Sequence, residues 1–174
     1  FNQRCVEIEK ETAAAVFHVY DLTDLTPPPR RYTVGPGKTL EGAWPAGAHD
    51  LWVLGPGGFH RHCRGAGEPG PTVAAAYDRR GGQLILSVHN PSAASVEIVA
   101  TANAYELKPW GVRLAPGATA ARAWALAETG GWYDLSLATP ADPQWLRRLA
   151  GRLETGRPSI TDPAMGGPAL MVRT

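Results

Sequence analysis

His60-Arg61-His62 sets two imidazoles two residues apart. On a β-strand that spacing sends both side chains to one face, where they could share a metal ion. Such a site needs a third ligand, and His49 or Asp50 is the nearest supply. Asp50 and Asp134 form a second candidate set, because two carboxylates can divide general acid and base work when they converge. Trp52, Trp110 and Lys108 form a third. Indole rings near a cation suit a domain interface, a sugar platform or an interfacial membrane contact. No Gly-x-Ser-x-Gly elbow, His-Glu-x-x-His helix or Walker-type loop occurs in the sequence. Gly35-Pro36-Gly37 and Gly55-Pro56-Gly57-Gly58 read as turns: proline donates no N–H to a phosphate, and no helix follows to supply a dipole.

The chain that must position these residues has 174 residues, 19% of them charged, and a formal net charge of +1. That length suits one or two domains. So weak a field makes nucleic acid a poor partner. With 20 glycines, 16 prolines and 2 methionines, the composition fits short strands joined by many turns. No apolar run approaches the ~20 residues of a membrane-spanning helix. Phe1 opens in mid-pattern with no leader, so the chain is expected to be part of something longer. Cys5 and Cys63 could pair if the protein is exported. Strand parity turns Cys5 away from the core, and Cys63 reads as a small buried apolar residue.

The chain is internally repeated. At an offset of 80, the halves align without a gap from Gln3/Gln83 to Trp44/Trp124. Val16/Val96, Val19/Val99, Pro29/Pro109, Pro36/Pro116, Gly37/Gly117 and Thr39/Thr119 match along the way. A hairpin signature then recurs. Asp50-Leu51 answers Asp134-Leu135, Phe59 answers Trp145, and Gly65 answers Gly151, with a loop two residues longer in the second copy. Residues 65–71 have linker composition. The second copy reads as about seven short strands: 72–77, 83–89, 95–102, 111–114, 120–127 and a closing hairpin. That spacing predicts a β-sandwich. Residues 108–110 read as a looser stretch, and 153–174 as an extended tail. The first copy has nothing to match 72–77, so its first strand is expected upstream, because an unpaired edge is a liability. Taken alone, Pro143–Leu153 looks helical, but its partner Phe59–Cys63 is too short for a helix, which favours a strand.

The repeat also weighs the chemistry. His60 and His62 become Leu146 and Arg148 in the second copy, so a polar outer face of an edge hairpin is favoured over a metal site. Asp50 and Asp134 lie in different copies. That points to structural roles, capping a turn or pairing with Arg61 and Arg147. Trp44 and Trp124 match and read as core. Trp52 takes outward parity and answers Ser136, and Trp110 sits beside Lys108.

Several stretches together carry a family resemblance. They are Ala15–Asp21, Pro29–Val34, His49-Asp50-Leu51-Trp52-Val53-Leu54-Gly55-Pro56 through Phe59-His60-Arg61-His62, and Gly131–Ser136. The closing Arg147-Arg148-Leu149-Ala150-Gly151-Arg152-Leu153-Glu154-Thr155-Gly156-Arg157-Pro158-Ser159, continued by Asp162–Gly166, is the specific one. The chain resembles the duplicated C-terminal domain of bacterial phosphocholine-specific phospholipases C. In that family a large N-terminal hydrolase domain, similar to the alkaline phosphatase and arylsulfatase class, cleaves phosphatidylcholine or sphingomyelin. Those enzymes are exported, typically through a twin-arginine signal.

The resemblance implies an accessory module of a secreted or periplasmic enzyme, with no catalytic residue and no cofactor of its own. The expected architecture is all-β. Two tandem immunoglobulin- or fibronectin-like sandwiches (1–67 and 68–152) precede the tail at 153–174. The partner implied is the hydrolase domain, with a phospholipid surface or a glycan as the alternative.

Overall fold

The computed structural model describes residues 8–10, 13–45, 47–66, 70–156, 158 and 160–165. Every regular element among them is a strand. The first half holds β1 (Ile8–Lys10), β2 (Ala15–Asp21), β3 (Arg30–Val34), β4 (Lys38–Leu40), β5 (His49–Leu54) and β6 (His60–Gly65). The second holds β7 (Thr72–Asp78), β8 (Gln83–His89), β9 (Val96–Ala104), β10 (Trp110–Leu114), β11 (Thr119–Ala125), β12 (Trp132–Thr139) and β13 (Asp142–Arg152). All pairings are antiparallel.

Alternation of apolar and polar residues decides which face each strand buries. In β8, Leu84, Leu86 and Val88 are fully buried, and the residues between them are only partly covered. They meet Ile98, Ala100, Leu135, Leu137, Trp145 and Leu149 from the opposing sheet. Trp124 closes the core and donates its indole N–H to the Lys108 carbonyl at 2.8 Å. Asn90 is a fully buried amide in the turn after β8. Its Nδ2 donates to the carbonyls of Ala94 and Ala115, and its Oδ1 accepts from Ser92. The first half has a smaller core of Ala15, Phe17, Val19, Val34 and Val53, with Tyr32, Trp44 and Phe59 packed against it.

The all-β sandwich is as expected, and Pro143–Leu153 is strand rather than helix. Trp145, Leu149 and Gly151 share its inward face. Three expectations are corrected. Trp110 opens β10 instead of lying in a loop.

The gapless alignment also fails across β2. There Ala15 and Val34 pair as Val96 and Leu114 do, so Phe17 answers Ile98 and Val19 answers Ala100. Val16/Val96 and Val19/Val99 are coincidences: Val16 points outward and is 45% exposed, while Val96 packs on the core. A one-residue slip exchanges the two faces of a strand, and identity counts carry no information about faces.

The third correction concerns the hairpins, which are not outer edges. β6 pairs with β13, so one eight-stranded sheet, ordered β10-β9-β12-β13-β6-β5-β2-β3, runs through both repeats. The remaining strands form the pair β1-β4 and the trio β11-β8-β7. Among the described residues β1 pairs with β4 alone, whereas its counterpart β8 is flanked on both sides.

Candidate functional site

The outward face of the shared sheet gathers most of the chemistry-bearing side chains. Trp52 lies opposite His62, and His62 lies opposite Arg148 across the junction of the repeats. The Trp52 indole stands edge-on to both imidazoles, its ring centre 5.5 Å from that of His60 and 5.7 Å from that of His62. The two imidazoles stack 6.5 Å apart. His60 Nε2 is closed off from solvent and has no hydrogen-bond partner. Burial, helped by the Arg148 charge, pushes the His60 pKa down to about 4, so the ring is neutral at pH 7.

Each carboxylate of the sequence pattern is tied to the facing strand. His62 Nε2 donates to Asp50 Oδ1 at 2.5 Å. Arg148 grips Asp134 with two bonds, Nε to Oδ1 at 2.9 Å and Nη2 to Oδ2 at 2.6 Å. Asn103 Nδ2 adds a third at 2.8 Å. These are one fold position seen twice. A carboxylate on the first hairpin strand is joined diagonally to the basic residue that faces its neighbour. The partners are therefore His62 and Arg148, not Arg61 and Arg147. Parity explains the correction, because Arg61 and Arg147 point to the opposite face. Among the described residues, no group of three or more His, Cys, Asp or Glu is placed to hold a metal ion.

Asp134 carries a pH prediction. Burial raises its pKa, but hydrogen bonds from Arg148 and Asn103, with the Arg148 charge, outweigh burial and hold it below the ordinary value. A depressed native value means that the pair's stabilisation is complete above the unfolded pKa of about 4 and fades as pH falls through the native one. Asp134→Asn is therefore expected to be less stable than the parent in urea unfolding at pH 7. The gap should close in acid, as pH falls through the depressed native value. A gap that persists unchanged there would rule out the ionised pair as its source.

On the inward face, a cluster that no sequence motif announces joins the repeats. Arg61 Nη1 donates to the Ala150 and His60 carbonyls, both at 2.9 Å. Its Nη2 donates to Tyr77 Oη at 2.9 Å and Tyr133 Oη at 3.2 Å. The two phenols lie 2.5 Å apart. Burial raises the Tyr133 pKa and works to lower that of Arg61, where the interactions with Tyr133 and Tyr77 outweigh it and leave the guanidinium pKa raised. Arg147 repeats the move in reverse, with Nη1 donating to the Arg64 carbonyl at 2.6 Å and to the Leu146 carbonyl at 2.8 Å. Arg61 also lies over Phe59 at 4.2 Å and Arg147 over Trp145 at 5.1 Å. The repeats thus meet about a local two-fold axis between His62 and Arg148. The signal was in the sequence: the alternation Phe59-x-Arg61-x-Cys63 turns an arginine inward.

Lys108 and Trp110 lie away from this patch. Trp110 stands edge-on to Trp124 with ring centres 6.0 Å apart. Exposed Lys108 borders a groove of about 850 Å³ with Tyr105, Glu106, Arg122, Trp124 and Pro163. The groove's rim is built from two consecutive non-glycine residues with positive φ, Tyr105 at 70° and Glu106 at 51°. Tyr105 Oη donates to Asp162 at 2.7 Å, and Trp132 Nε1 donates to the Ile160 carbonyl at 3.3 Å. The described part of the tail therefore lies along the second repeat. Cys63 is buried, as its reading as a small apolar residue had it, and Cys5 lies outside the described residues.

Comparison with known proteins gives a concordant result. A family described as bacterial phospholipase C, C-terminal domain, matches residues 7–66 and 71–152. A non-hemolytic phospholipase C of Pseudomonas aeruginosa is 35% identical over 166 residues, covering 88% of this chain and 24% of the relative. A non-hemolytic phospholipase C of Burkholderia pseudomallei is 37% identical over 146 residues, covering 78% and 21%. A hemolytic phospholipase C of Pseudomonas aeruginosa is 35% identical over 127 residues, covering 68% and 17%. The chain thus spans a quarter or less of the length of these curated relatives.

Proposed function

Because the chain belongs to the family of bacterial phospholipase C C-terminal domains, we infer that it is the non-catalytic accessory module of an exported phospholipase C. The parent enzyme would hydrolyse phosphatidylcholine or sphingomyelin through a separate hydrolase domain. The module docks on that domain and stabilises it. One observation carries the reading. The carboxylates that could serve as acid and base, Asp50 and Asp134, sit at equivalent places and are consumed in cross-strand pairs with His62 and Arg148.

The test compares the parent phospholipase C with a version lacking this module. Deletion is expected to lower the temperature of half-inactivation while leaving turnover per folded molecule close to the parent's. Equal half-inactivation temperatures would remove the docking role. The groove beside Lys108 favours a second reading, a headgroup or glycan contact made with Trp110 nearby and Trp52 on the other repeat. Co-sedimentation with phosphatidylcholine vesicles and glycan screening test it. Binding that survives Lys108→Ala would sink the groove's part in it.

A further inference from the structure

The duplication supplies an internal control that separates what the sheet needs from what one repeat adds. Strand register makes His18 equivalent to Val99, Tyr20 to Thr101, Trp52 to Ser136, Leu54 to Ala138, and His60 to Leu146. All lie on the outward face. The fold therefore accepts small or aliphatic residues at these places, and the aromatic and imidazole set of the first repeat is an addition to it.

That set has the features of an unfilled contact surface. Trp52 is pinned against two imidazoles yet remains 36% exposed. The cross-strand row His18–Leu54–His60 leads from it into an apolar groove of about 420 Å³ lined by Val16, His18, Leu54 and Pro56. His60 ends the row on β6, its Nε2 turned away from solvent.

We propose that the Trp52–His60 patch and the adjoining Val16–Leu54 groove form the surface that receives the hydrolase domain of the same polypeptide. The proposal rests on the docking reading above and names its face. Two observations favour this occupant. In the matched relatives the segment similar to this chain is 24% or less of one polypeptide, so their remaining length is tethered beside that segment at high effective concentration. The face also carries the partly exposed Asp50–His62 pair. Hydrocarbon would strip that pair of water without replacing it, whereas a protein surface can replace it. A central tryptophan ringed by partly covered groups is the composition of an interface hot spot.

The experiment uses the full-length phospholipase C. One arm footprints the unmodified enzyme with hydroxyl radicals. Trp52 is expected to oxidise severalfold more slowly than Tyr77, an aromatic of similar intrinsic reactivity that is 39% exposed in this chain. Oxidation of Trp52 at the Tyr77 rate would overturn the proposal. So would protection that arises only on adding phosphatidylcholine vesicles, or only at high protein concentration. Those outcomes assign the face to lipid or to a second copy.

The other arm borrows the second repeat's residues, Trp52→Ser, Leu54→Ala and His60→Leu together, which the sheet already tolerates at the equivalent places. The triple variant should lower the half-inactivation temperature nearly as far as deleting the module. If deletion lowers it and the triple variant does not, this face is wrong and docking stands. If neither does, docking itself fails.

Discussion

Replacing Arg61 by methionine is expected to cost about 3–5 kcal/mol of unfolding free energy, measured by urea denaturation. The estimate follows from what the side chain leaves behind. Arg61 satisfies the Ala150 carbonyl across the junction and both phenols of Tyr77 and Tyr133. Methionine fills much of the volume but offers no donor, and the part-buried Ala150 carbonyl and Tyr133 phenol each lose one, where a buried acceptor stripped of its donor loses about 1–3 kcal/mol. Lysine is not a conservative replacement, because a point charge cannot span two directions as the planar fork does. Arg61→Lys should fall between the parent and Arg61→Met. A methionine variant within about 0.5 kcal/mol of the parent, the range of ordinary surface changes, would show that the cluster does not hold the sheet together.

Trp145→Ala is expected to cost a similar amount, about 3–5 kcal/mol, because it empties a site in the larger core. Trp145 is 3% exposed. The informative variant is Trp145→Phe. The indole Nε1 is buried without a partner, so the native residue already carries the cost of an unsatisfied donor. Phenylalanine removes that donor along with part of the volume. The first repeat does the same at the equivalent position, where Phe59 lies under Arg61 as Trp145 lies under Arg147. Trp145→Phe should therefore stay within about 1.5 kcal/mol of the parent. A loss as large as that of alanine would mean that shape, not burial, governs the site.

Strand content was legible in the sequence because it depends on local alternation and turn chemistry. Leu84, Leu86 and Val88 alternate cleanly, and Ala115-Pro116-Gly117 marks its turn without help from the rest of the chain. The outward stance of Trp52 followed from the same parity.

What could not be read was which edges meet. The backbone groups that join β6 to β13 are the same in every residue, so His60–Arg64 carries no mark naming Leu146–Ala150 as its neighbour. The slip across β2 was hidden for a related reason. Compensating single-residue differences in the loops on either side left the longer alignment intact while exchanging the faces between them.

In the site, residue types pointed to Asp50, Asp134, His60 and His62, but their partners are diagonal neighbours fixed by hairpin register. The inward arginines were visible in the alternation and passed over, because a buried cation is an unusual core residue.

The meeting of β6 and β13 about a local two-fold also bears on how the chain reaches its native state. Each strand offers the other a nearly self-similar edge, so the same junction can form between two molecules without any contact that a single molecule lacks. During refolding, β6 of one chain and β13 of another compete with the intramolecular pair, and the product is a swapped dimer. The connection from Gly65 to Thr72 sets the balance, because its length fixes the local concentration of one edge around the other. Refolding at high protein concentration, or with that connection shortened, is expected to divert material into the swapped form.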